Sequence, residues 1–189
     1  MARAFRIVLT AIVLIALLGL ALPWIDTGLY AMRLASMEPP TALAMPVANV
    51  KPAGLRDTWH ASRPPARRHE GIDIFAKRGT PVVSASEGIF LRRGESNLGG
   101  KVVWVLGPAG HRHYYAHLDD YAYVTVGERV KPGTVLGYVG NTGNARTTPP
   151  HLHYGVYTSG GPVNPYPLLV QKSKPPQSLN KESKLRAKT

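Results

Sequence analysis

Cysteine is absent from this 189-residue chain. That excludes a disulfide framework, a thiolate metal site and a cysteine nucleophile together. Acidic residues are scarce: 11 Asp and Glu stand against 23 Lys and Arg, a formal charge of +12. Such a surplus favours an anionic partner, whether nucleic acid, phospholipid headgroups or an acidic polymer. Missing too, between residues 56 and 168, is any apolar repeat of helical period sustained over three turns. With 19 Gly and 17 Pro, the body of the chain is not mostly helical, because both residues break helices and punctuate short strands. Hydrophobic residues make up 44%, enough to fill the core of one compact domain with flanking segments.

One long hydrophobic run is present. Ile7 to Leu22 carries no charge, and Phe5 with Trp24 and Ile25 extends it towards the ~20 residues of a membrane-spanning helix. Arg3 and Arg6 precede it, which predicts a cytoplasmic N-terminus and export of the remainder. Residues 1–25 are therefore expected to form a transmembrane anchor or a signal sequence. The weak Gly19-Leu20-Ala21 cleavage site and the nearby Pro23 favour the anchor. Residues 26–54, rich in Ala and Pro, are expected as a linker. The polar, basic stretch 169–189 is expected as a disordered tail. Between them, residues 55–168 form the candidate domain. Its β-branched and aromatic runs at 79–83, 101–106, 122–126 and 135–139 are bounded by Gly, Pro or Asn and predict a mostly β, antiparallel fold.

Six of the seven histidines fall into three clusters. His69 and Asp73 are four apart, and on a strand that spacing puts both side chains on one face. The same geometry turns Glu70 away, so Glu70 is not expected to act as the base of a helical H-E-x-x-H site. His151 and His153 share a face of a second alternating run; either both bind metal, or one binds while the other moves protons. In the third cluster, strand alternation predicts His113 and His117 facing inward together. His60 and His111 read as ordinary surface or core histidines. Without cysteine, a His/Asp/His set points to catalytic rather than structural zinc, with three protein ligands and a position left for water. Zinc of that kind lowers the pKa of water and polarises a carbonyl.

HEGID at 69–73, YYAHL at 114–118 and TPPHLHYGVY at 148–157, in this order, resemble the lysostaphin-type or LytM-like zinc endopeptidases of peptidoglycan. The stretch Gly127-x-x-Val130-x-x-Gly133-x-x-Leu136-Gly137, followed by Gly140-Asn141-Thr142-Gly143, is similar to the same family. The resemblance covers about residues 55–168. It implies a small antiparallel β-sheet domain with a groove over one Zn2+ per chain, held by His69, Asp73 and His153. It further implies His117 and His151 as the catalytic pair, leaving His113 outside the family positions though available to line the cleft. No Tyr lies just upstream of His69, so Arg63 is the candidate for oxyanion contact.

The implied substrate is a cross-link or stem peptide of peptidoglycan. The expected location is the cytoplasmic membrane, single-pass, with the domain in the periplasm or outside the cell. A regulatory protein partner is left open, and the surplus charge is assigned to wall or membrane rather than nucleic acid. The competing implication is a catalytically silent module that binds or activates wall hydrolases; relatives of that kind lack site positions, and this chain has all five. A lipoyl-type carrier is disfavoured because Lys131 does not sit on a suitable exposed turn.

Overall fold

The structure is a computed structural model and describes residues 1–63 and 66–171. It begins with a 35-residue helix, α1 (Ala2–Ser36), which at 1.5 Å per residue is about 50 Å long. The helix is long and apolar enough to cross a membrane, and none of its apolar window is buried. Pro23 lies inside it, where a proline removes a donor; the Thr27 hydroxyl donates to the Pro23 carbonyl at 2.9 Å.

Two short strands, β1 (Ser62–Arg63) and β2 (Arg67–Arg68), pair as a hairpin ahead of the main sheet. That sheet holds β3 (Ile72–Phe75), β4 (Pro81–Val83), β5 (Gly88–Ser96), β6 (Gly100–Leu106), β7 (Arg112–Tyr121), β8 (Arg129–Val130), β9 (Val135–Val139), β10 (His151–Thr158) and β11 (Gly161–Val163). The main path runs β11-β10-β7-β6-β5-β8, with β3 beside β10 and β9 joining β7 to β4. Every pairing is antiparallel. A short helix, α2 (Tyr166–Val170), follows.

Alternation divides the residues of β3, β7 and β10 between two faces. Ile72, Ile74, Tyr115, Leu152, Tyr154 and Val156 point into one core with Val103, Val105 and Leu136. Asp73, Ala116, His151 and His153 point the other way, and register puts Asp73 opposite His153 and His153 opposite Ala116. The hydroxyls of the two buried tyrosines are satisfied: Tyr115 accepts from the Ala85 N–H at 3.0 Å, and Tyr154 shares a 2.7 Å bond with His113 Nδ1.

Three expectations change. Residues 26–54 are not a free linker. Residues 26–36 continue α1, and Leu43, Val47 and Leu55 enter the core. The stretch is bonded along the domain, with Leu43 N–H on Leu168 O, Ala44 N–H on Ala85 O, and Val47 bridging Val82. Residues 122–126 are not a strand. Their apolar residues do not alternate between core and solvent: Val124 is buried, while Tyr123 and Val126 are exposed. The Glu128 carboxylate instead accepts the Thr125 N–H at 2.9 Å, closing a turn before β8. Of the expected tail, Leu169 belongs to α2 and is buried; the remainder from Lys172 lies outside the described residues.

Candidate metal centre

Asp73 is delivered by β3 and His153 by the neighbouring β10. His69 lies in the extended connection before β3, held by its N–H on Ala61 O and its C=O on the His60 N–H. Strand periodicity thus accounts for Asp73, while the hairpin contacts bring His69 alongside. Gly71 makes the approach possible: a Cβ there would lie 2.8 Å from Cε1 and 2.9 Å from Nε2 of His153.

One ligand atom from each of His69, Asp73 and His153 lies within 4.8 Å of the others. His69 Nε2 is 3.0 Å from Asp73 Oδ1 and 2.7 Å from His153 Nδ1, which is 3.3 Å from the same oxygen. His69 Nδ1 is 2.7 Å from the Thr58 carbonyl. A carbonyl only accepts, so Nδ1 carries the proton and Nε2 turns its lone pair into the cluster. This is the backbone-braced imidazole usual for a metal ligand. The donor set, two imidazoles and a carboxylate without sulfur, fits zinc in a three-ligand site.

Burial works to raise the Asp73 pKa, but the adjoining His153 and His69 rings outweigh it and hold the carboxyl well below the usual range. Its second oxygen, Oδ2, accepts from the Arg63 guanidinium. Arg63 therefore reaches the centre, engaged with the carboxylate. Glu70 is exposed and outside the cluster.

His151 and His117 flank the three. Their rings are 5.0 Å apart, and His117 is 5.9 Å from the ring of His153. His151 Nδ1 meets the Pro149 carbonyl at 2.8 Å and His117 Nδ1 meets the Thr142 carbonyl at 2.9 Å. Each Nδ1–H thus donates to a carbonyl, leaving Nε2 without a backbone partner. Burial first, then the neighbouring His153 and His151, push the His117 pKa down to about 4, so its imidazole is neutral at pH 7.

His113 requires a correction, for the expected shared face with His117 fails. His113 obeys the alternation and points into the core opposite Val156, with no exposure. There it contacts the Tyr154 hydroxyl and, at 3.2 Å, the Ser86 hydroxyl; it does not line the cleft. His117 breaks the alternation. The register of β7 with β6 and with β9 shifts around it, and its φ is +65°. A bulge with a left-handed residue re-aims one side chain, and here it swings the imidazole from the core face to the metal face.

Sequence reasoning missed Trp104, Tyr114 and Tyr157, which continue the open face from His153 by ring contacts of 4.5 to 5.8 Å. The alternation of YYAHL carried a signal for Tyr114. The bracing carbonyls of Thr58, Thr142 and Pro149 carried none, since any residue supplies one.

A family model, peptidase family M23, matches residues 67–165. The chain belongs to peptidase family M23. Among M23 relatives, the L-Ala–D-Glu endopeptidase of Bacillus subtilis is 39% identical over 126 residues, covering 60% of this chain and 39% of that protein. The DD-carboxypeptidase/endopeptidase Mpg of Neisseria meningitidis is 38% identical over 104 residues, covering 55% of this chain and 23% of its own. The chain thus spans well under half the length of these relatives. The catalytic domain of lysostaphin from Staphylococcus simulans superposes with a TM-score of 0.56 at 31% identity, over 64% of this chain and 96% of that one. The expected antiparallel β fold of the lysostaphin type is therefore the fold this chain has.

Proposed function

We propose that this M23 chain is a zinc-dependent endopeptidase that hydrolyses cross-links or stem peptides of peptidoglycan. The observation that carries the reading is the convergence of His69, Asp73 and His153 with two further histidines whose Nε2 atoms are free on the same face. The names of the curated relatives, which cut L-Ala–D-Glu or DD bonds, support the substrate class.

His69, Asp73 and His153 would hold one Zn2+, which when bound lowers the pKa of water and polarises a peptide carbonyl. Arg63 neutralises Asp73 Oδ2 and leaves Oδ1 turned to the two imidazoles; its remaining N–H groups lie at the edge of the site, available to a developing oxyanion. His117 and His151 keep Nδ1–H on backbone carbonyls, which fixes the orientation of each ring and leaves Nε2 for the proton transfer. One Nε2 takes the proton of the attacking water and returns it to the leaving amine, a contribution of about 10² to 10⁴ in rate. Residues 1–25 anchor the chain in the cytoplasmic membrane with the peptidase domain beyond it.

The test is digestion of purified cross-linked muropeptides by the full chain in detergent, with metal analysis and mass spectrometry of the products. Near-stoichiometric zinc and chelator-sensitive cleavage are expected. Full metal content and full activity in His153→Ala would overturn the assignment.

A further inference from the structure

A row of side chains crosses the open face of the sheet and has no part in the proton transfers above. Register sets Arg92 opposite Trp104, Trp104 opposite Tyr114, and Tyr114 opposite Gly155. The four residues form one line over β5, β6, β7 and β10. The Arg92 guanidinium lies 5.4 Å from the Trp104 ring centroid. Trp104 contacts Tyr114 at 4.5 Å, and Tyr114 meets the His153 ring edge-on at 5.8 Å. The row runs unbroken from a proposed metal ligand to an arginine, and at its His153 end the Tyr157 ring closes over Gly155 and meets Trp104 at 5.5 Å.

Arg92, Trp104 and Tyr114 line a cavity of about 230 Å³. It adjoins a second of about 550 Å³, walled by Lys101 and Arg146 and sharing Glu95 and Ser96 with the first. Arg92 is exposed and, among the described residues, has no carboxylate partner, whereas Arg63, Arg78 and Arg129 each pair with an aspartate. A row of tilted aromatic rings ending in a guanidinium without a carboxylate partner suits a peptide that lies along the rings and carries a carboxylate at its far end. Three inter-strand steps separate β5 from β10, about 14 Å, or roughly four residues of extended peptide.

We infer that Arg92, Trp104 and Tyr114 form a substrate subsite that takes a carboxylate of an acidic peptide, about four residues from the bond held at the metal centre. The inference rests on the peptidase reading above and deepens it: the enzyme selects acidic stems over neutral bridges.

The experiment uses the full chain in detergent and stem peptides that differ only in their carboxylates, free or amidated. Affinities are measured by calorimetry on metal-free protein, where no turnover occurs, and kcat/KM on zinc-loaded protein. Wild type is expected to prefer the free acid roughly two- to fivefold, the range of an exposed ion pair. Arg92→Gln brings the ratio to about one, and Arg92→Lys keeps the larger part of it. Arg93→Gln removes an equal charge one residue away, where the guanidinium lies over Tyr121, and keeps the wild-type ratio. Equal affinities in wild type, an unchanged ratio in Arg92→Gln, or an equal collapse in Arg93→Gln would each overturn the subsite. Discriminating affinities without hydrolysis of either peptide would leave the subsite standing and remove the peptidase reading. Hydrolysis of both at equal rate and equal affinity would do the reverse.

Discussion

At the residue scale, His151 and His153 sit two apart on one face of β10, yet their ring nitrogens make different contacts. His153 directs Nδ1 to the His69–Asp73 pair, whereas His151 spends Nδ1 on Pro149 O and keeps Nε2 free. His153→Ala is expected to lose bound zinc and activity together. His117→Ala is expected to keep zinc while kcat falls about 10²- to 10⁴-fold; metal analysis beside turnover separates the two. Gly71→Ala tests the packing behind the ligands. The added methyl meets the His153 ring and, at 2.5 Å, the Tyr154 carbonyl. A loss of about 1–3 kcal/mol of stability is expected from such overpacking, with weaker zinc binding, read by denaturant titration and a competing chelator. Much of this site was legible beforehand. The H-x-H run and Asp73 follow the period of two that β10 and β3 adopt, whereas His69 precedes β3 and is placed by its backbone bonds to residues 60 and 61. His113 was misjudged because the same rule was applied across a bulge, and no residue type in YYAHL announces that His117 takes a left-handed φ.

At the element scale, the stretch from Met37 to Leu55 resembled a linker because its Ala and Pro residues show no alternation. It packs with a few well-spaced residues, Leu43, Val47 and Leu55, between stretches of backbone pairing. Strand statistics do not register such an arm. Val47 is 1% exposed, so Val47→Ala is expected to cost about 2 kcal/mol, and removal of the arm to unfold the domain. Thermal melting of chains starting at residue 37 and at residue 56 checks this. The strands β4, β6 and β9 matched their β-branched runs, whereas 122–126 did not, because a short apolar run also suits a turn that buries a single valine.

The His113 network belongs to the same scale, since it ties β7 to β10 and to the Ser86 turn. Burial first, then nearby His111, push its pKa down to about 3, against about 6.5 unfolded. Between those values the unfolded chain binds the extra proton. Stability from this group is therefore complete above pH 6.5 and falls as pH drops towards 3, by at most about 1.4 kcal/mol per unit. Denaturant midpoints from pH 7 to 4 should show this slope, and His113→Gln should remove one proton's worth of it.

At the scale of the whole molecule, the helix and the domain are joined by more than a peptide bond. Tyr30 and Leu34 of α1 pack on Ile89, the Tyr30 hydroxyl donates to Glu87 at 3.1 Å, and Arg129 pairs with Asp26 at 2.6 Å while lying 4.3 Å from the Tyr30 ring centroid. Arg129→Glu places two carboxylates together in this seam. It is expected to raise amide exchange in residues 26–36 without changing the metal content of the purified protein. A domain on a flexible leash of twenty residues would roam about 25 Å. Here the helix is a mast rather than a leash. On the proposed reading, with α1 standing in a bilayer, the candidate metal centre would be carried at one height and one bearing above the lipid, and the polymer would have to come to it.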